Sequence, residues 1–190
     1  MVTRMKIGLK EAVEDVEIAF QQLEYCLKAS AYWSREEFQP DEFVTDMVVR
    51  LPEGDIHFPT DQFAEKSNIE KASEISISIA YACTALALDQ ALETADYNVN
   101  PKSTDDFDQL RCVIYLVRCA YAHRIAQPYW DVAESKRRVY SFTVQDNSIE
   151  VDTTQLHEKE FSFTDLGGHK VWHDISNLVL SRLREDEASR

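Results

Sequence analysis

The stretch Asp108–Trp130, DQLRCVIYLVRCAYAHRIAQPYW, decides how this chain folds. Wound as an α-helix, it carries Leu110, Val113, Ile114, Val117 and Tyr121 at i, i+3, i+4, i+7 and i+11, the rhythm of one buried stripe. Cys112, Leu116 and Cys119 broaden that stripe beyond what a surface helix carries, which makes this the central helix of a core. Arg111 and Arg118 nevertheless stand seven residues apart, hence on one face, with Tyr115 between them and His123 closing the helix. A guanidinium in so apolar a helix has to be paired or put to use, because an unpaired buried charge is costly.

The flanking sequence supplies the partners of that helix. Leu9, Ala12, Val13, Val16, Phe20, Leu23 and Leu27 form a stripe within a helix predicted over residues 6–33, with Glu11, Glu14, Asp15 and Glu24 facing outward. A second long helix is predicted from Ile69 to Tyr97, opened by the capping-box spacing Ser67–Glu70. Ser103 or Thr104 is expected to cap the central helix. After Pro128 the pattern changes to period two: residues 138–144 and 148–152 predict a hairpin around Gln145–Asn147, with Tyr129–Val132 as a third short strand. A last helix begins near Thr164–Asp165, buries Trp172, Ile175, Val179 and Leu183, and frays over residues 185–190. Residues 34–68, broken by Pro40, Pro52 and Pro59, have a turn at Glu53–Gly54 and a short helix around Phe43, Val44, Met47 and Val48. They pack on the body or against a partner. The fold class is therefore mostly α: a single helical domain over residues 1–190, with a small antiparallel β-hairpin inserted before the C-terminal helix.

Composition narrows the function classes. With 190 residues the chain makes a core without metals or disulfides, and 4 Gly and 5 Pro favour long helices over tight turns. A net charge of −14 excludes indiscriminate binding to nucleic acid or anionic membranes. That charge is uneven, since Asp108–Tyr140 holds six Lys and Arg against three Asp and Glu. Cys26, Cys83, Cys112 and Cys119 lie in helical patterns without a CxxC pair, so they read as small buried hydrophobes of a reducing, cytoplasmic compartment. No apolar run long enough for a signal peptide or a membrane span is apparent. With so few glycines, and no Walker loop, dinucleotide fingerprint or serine elbow, no cofactor is expected.

The chemistry-bearing motif is Arg118-Cys-Ala-Tyr-Ala-His123, R-x4-H at the end of the central helix. Five helical residues set the two side chains about 140° apart, so they converge only where the last turn unwinds, which Pro128 favours. A fixed cation and a group titrating near neutrality suit cleavage of a phosphodiester by its own 2′-hydroxyl, without a metal. The other reading is an arginine salt-bridged to an acidic helix and a histidine capping the final carbonyls.

Long helices, YLVRCAYAHRIAQPYWDV, a hairpin and a closing helix together resemble the HEPN superfamily, through Arg118, Ala122, His123, Pro128 and Trp130, over roughly residues 104–175. The resemblance implies a helical bundle that dimerises so that two R-x4-H ends face one cleft, here a homodimer through the central helix. It also implies metal-independent RNA cleavage in defence or toxin–antitoxin systems, with Arg118 and His123 catalytic and an antitoxin-like protein as a further partner. Arg111 and Arg124 are the candidate RNA-binding residues beside that pair, and Tyr115 extends the same cleft. Catalytic members commonly carry a polar residue where this chain has Cys119. That departure and the acidic charge favour the alternative, a non-catalytic HEPN-like interaction module or structural subunit that binds a protein partner or nucleotide.

Three further features have two readings each. Lys136-Arg137-Arg138 is a basic run that either touches an RNA backbone or is a solvated loop. His169 and His173, near Asp165 and Asp174, have metal-ligand spacing but no convincing third ligand, so no metal is expected. Gly167–Gly168 more readily lets the last helix start close under the hairpin, while His57 and His157 receive no role.

Overall fold

The computed structural model describes residues 8–35, 47–58, 63 and 65–189, and over these the protein is mostly helical. Its long helices are α1 (Leu9–Trp33), α2 (Lys66–Thr94), α3 (Asp106–His123) and α5 (His169–Ala188). A hairpin of β3 (Val139–Val144) and β4 (Asn147–Asp152), followed by the one-turn α4 (Thr153–Leu156), stands between α3 and α5 as expected. A second hairpin, β1 (Met47–Leu51) with β2 (Gly54–Phe58), precedes α2.

Helix α3 is the centre of the core. Leu110, Cys112, Val113, Ile114, Leu116, Val117, Ala120 and Tyr121 are all buried. Helix α2 packs on it from one side and β3 from the other. Helix α1 lies along α2, and α5 closes the bundle against α1, α2 and β3. In β3 burial alternates, with Tyr140, Phe142 and Val144 facing inward. Gln145 and Asp146 both take positive φ (47° and 63°), as a two-residue primed turn requires. Trp172, Ile175, Val179 and Leu183 are buried as their spacing predicts. Gly167 ends a 3-10 turn in the left-handed region, and a Cβ there would stand 3.1 Å from the Val171 methyl and 3.5 Å from Ile149 of the hairpin. The glycine therefore permits the close approach expected of it.

Several local expectations are corrected. Met47 and Val48 belong to β1, where β-branched residues favour an extended chain, while Phe43, Val44, Pro40 and Pro59 lie outside the described residues. The turn between these strands is Pro52–Glu53, with Gly54 at φ 142° beginning β2. Helix α2 starts at Lys66, before Ser67, and its N-cap is Glu65. The cap of α3 is Asp105, which accepts from the N–H groups of Phe107 and Asp108, while Ser103 Oγ accepts from Asp105 itself. Residues 129–132 do not join the hairpin: Tyr129 bridges Glu160, and Trp130 exchanges backbone bonds with Lys159 and Glu158. Leu27 is exposed and Phe20 half-buried, so the α1 stripe is narrower than its pattern. Residues 185–188 continue α5 in place of a frayed tail.

The cysteines also depart from expectation. Cys26 and Cys112 are buried, Cys119 is half-buried and Cys83 is exposed; all four are free thiols. Helix α2 is long and apolar enough, by length and composition, to cross a bilayer, and 44% of its most apolar window is buried inside the protein.

Candidate functional site

Arginines 111 and 118 and Tyr115 project from α3 toward the C-terminal half of α2, and the two helices enclose a cleft of about 340 Å³ there. Leu86, Asp89, Gln90 and Glu93 form its α2 wall. Asp89 is the hinge of the arrangement. Its Oδ1 accepts from Arg111 Nη1 at 2.6 Å, and its Oδ2 lies 3.8 Å from Arg118 Nε.

The two arginines differ in what remains free. Arg111 is buried, and its Nε also donates to the Tyr97 carbonyl at 2.9 Å, so its charge is spent inside the protein. The residue expected to contact RNA is thus the structural floor of the cleft. Arg118, with 41% of its side chain exposed, keeps one edge on Asp89 and turns the rest toward solvent. Tyr115 stands between this cleft and a neighbouring one of about 450 Å³, lined also by Pro101, Lys102 and Lys136. The Lys136 ammonium sits 5.2 Å above the Tyr115 ring, a cation–π geometry. Contact with Cys119 comes first in holding the Tyr115 phenol above its usual range, with burial adding to it.

His123 looks elsewhere. With 54% of its side chain exposed, it places Nε2 3.0 Å from Asp131 Oδ2, and its ring lies beside Tyr129. Arg118 and His123 point to different partners, Asp89 and Asp131, as side chains set well apart around a helix would. Arg124, the C-cap of α3, is exposed in a third cleft with Lys71, Glu74, Ile75 and Ile125. The Ile125 carbonyl accepts from Ser78 of α2, which ties the end of α3 to that helix.

The basic run before β3 is folded onto the body. Arg138 donates to the Pro101 carbonyl, and Arg137 Nε donates to the Val132 carbonyl at 3.0 Å. His157, given no role from sequence, accepts from the Val132 N–H through Nδ1 and contacts Arg137 through Nε2. His57 lies in β2.

The paired histidines of α5 are already engaged. His169 Nδ1 meets the Tyr81 hydroxyl at 2.6 Å, while His173 packs edge-on against Phe20. Asp165 accepts from the Trp130 indole, and Asp174 pairs with Lys170. Among the described residues no group of three or more His, Cys, Asp or Glu could hold a metal ion.

Sequence reasoning missed Asp89 and Asp131. Asp89 sits inside an apolar helix with no local signal. Asp131, eight residues after His123, becomes its neighbour only because the Pro128–Trp130 segment turns back to pair with residues 158–161. No protein-family model matches this sequence, and no curated protein or solved structure does.

Proposed function

We propose that this chain is a metal-independent endoribonuclease of HEPN type, serving in a defence or toxin–antitoxin setting. The observation that carries the reading is the His123–Asp131 contact of 3.0 Å at the exposed end of α3. A carboxylate on one imidazole nitrogen orients the ring and stabilises the imidazolium, leaving Nδ1 to move a proton. Arg118, solvent-facing on the same helix, supplies a planar cation for phosphate oxygens. His123 takes the proton of a ribose 2′-hydroxyl as that oxygen attacks the adjacent phosphorus. The P–O5′ bond breaks, the 5′-oxygen takes a proton from the imidazolium, and a 2′,3′-cyclic phosphate is left. Arg118, brought into the same cleft by the dimer that the HEPN reading implies, stabilises the charge that builds on the non-bridging oxygens. The track from Arg118 past Tyr115 to Lys136 and Lys102 offers a stacking face and cations for the strand.

Incubating the protein with total RNA in EDTA tests this. Fragments ending in 2′,3′-cyclic phosphate are expected from wild type and not from Arg118→Ala or His123→Ala. Cleavage that survives in both variants at the wild-type rate, or that needs magnesium, refutes it. The separate partners of Arg118 and His123 favour a second reading, a non-catalytic interaction module, for which RNA stays intact in the same assay.

A further inference from the structure

The carboxylate that faces His123 stands in an extended stretch whose backbone is held on either side of it. The Pro128 carbonyl accepts from the Phe161 N–H at 2.9 Å. Trp130 donates to the Lys159 carbonyl and accepts from the Glu158 N–H, both at 2.8 Å. Neighbouring side chains of an extended chain alternate between faces. Trp130 is buried, with its indole on Asp165, so Tyr129 and Asp131 turn to the opposite side, where the His123 ring meets both. The next anchor is Val132, one residue beyond the carboxylate. Its side chain is buried, and side chains take both polar atoms of its backbone. Arg137 Nε donates to the Val132 carbonyl at 3.0 Å, and the Val132 N–H donates to His157 Nδ1 at 3.3 Å. Arg137 Nη2 meets His157 Nε2 at 2.6 Å, which closes a ring of three residues.

Imidazole chemistry explains why two side chains share this task. A neutral imidazole has one bare nitrogen, and two donors face this ring. With Nδ1 bare, His157 holds the Val132 N–H and turns its Nε2 hydrogen toward Glu158 Oε1, 3.7 Å away. With Nε2 bare, it holds the guanidinium that holds the Val132 carbonyl. Val132 is gripped in either tautomer. The approach of His157 is built into the backbone, since it ends the one-turn α4 and is followed by Glu158 at φ 64°. Residues with a side chain seldom adopt that left-handed region, and such strain persists where surrounding bonds over-determine it. Here the turn aims the Glu158 N–H at Trp130 and sets His157 against Val132.

We propose that Arg137 and His157 are positioning residues: by gripping Val132 they fix the Asp131 carboxylate against His123 Nε2. Both act through Asp131, and neither contacts the reacting atoms. Without them Asp131 would end the held stretch, free to turn about its own φ and ψ, and its 3.0 Å contact would be one arrangement among several. Arg137, from the basic run before β3, is then a holder of backbone in place of an RNA contact. The catalytic consequence rests on the ribonuclease reading; the grip on Val132 does not.

Two readouts on the intact chain test this, with circular dichroism establishing that each variant folds. In 15N relaxation, the order parameter of the Asp131 amide should fall from about 0.85 to below about 0.6 in Arg137→Met with His157→Ala, while the α3 amides keep their wild-type values. In steady-state RNA cleavage the same double variant should lower kcat about tenfold with KM unchanged. Restoring either residue alone should recover part of both losses. Added to Asp131→Asn, the two changes should slow cleavage no further, because the grip acts through that carboxylate. Should the double variant fail to fold, each single variant carries the same comparison. An Asp131 order parameter that stays near its wild-type value overturns the proposal, whatever happens to RNA. So does a loss in KM in place of kcat, the mark of a lost phosphate contact, or a loss that adds to that of Asp131→Asn. If wild type leaves RNA intact, the ribonuclease reading falls and relaxation alone decides the grip.

Discussion

Replacing Asp89 with asparagine separates a structural arginine from an available one. The substitution keeps the shape of the side chain and removes its charge, leaving buried Arg111 opposed only by a neutral amide and the Tyr97 carbonyl. Removing one partner of a buried ion pair costs about 3–5 kcal/mol, because the other charge stays in the interior unmatched. The surviving bond to Tyr97 places this case near the lower figure, about 3 kcal/mol. At about 2–4 °C per kcal/mol for a protein of this size, the melting temperature should fall by about 6–12 °C. Urea unfolding followed by circular dichroism reads the same loss. Asp89→Asn with Arg111→Met should recover most of it, since an apolar replacement of a buried pair is often neutral or better. Arg118→Gln should cost under about 1 kcal/mol, as its 3.8 Å contact is solvent-screened. A loss below about 1 kcal/mol in Asp89→Asn, or a double variant no more stable than the single, would refute the assignment of Arg111 as structural.

Three other outcomes are expected. Asp131→Asn should leave the fold intact and slow RNA cleavage about tenfold or more, because His123 loses the carboxylate 3.0 Å away that orients its ring. Burial first, and the nearby His173 second, lower the His169 pKa below its ordinary 6.5, so the unfolded chain binds more protons. Stability is then complete above about pH 6.5 and is lost as acidification passes through the lower folded value; melting at pH 7.5 and 5.0 should show this drop, smaller in His169→Gln. Trp172→Phe removes a fully buried indole that donates to Thr84 Oγ1 at 2.9 Å, and should cost about 1–3 kcal/mol in urea unfolding.

The elements that could be read from sequence are those whose burial is periodic. The stripe of α3, the alternation of Tyr140, Phe142 and Val144, and the spacing of Trp172 to Leu183 each repeat at the period of their own backbone. Helix boundaries were less legible because several side chains compete for each cap. Asp105 prevails over Ser103 and Thr104 by accepting from two first-turn N–H groups, whereas Glu65 stands at the start of α2 with no side-chain cap bond at all. The β1–β2 hairpin was hidden because Met47–Leu51 is short and flanked by proline, so neither period dominates. At the site, Arg118 and His123 were identifiable as residue types at a spacing. Their carboxylate partners were not, since Asp89 comes from another helix and Asp131 from a turned-back segment.

The bond from the Trp172 indole to Thr84 joins positions 88 apart in the chain and has a consequence for synthesis. The pocket for that ring is shaped by α2 and its neighbours, yet Trp172 is made about 50 residues after α3 ends. At about 5–20 residues per second that gap lasts roughly 2–10 s on the ribosome. During it the nascent bundle is open where α5 will dock. Aggregation during translation should therefore concentrate in this interval, and the emergence of α5 completes the core by seating one helix.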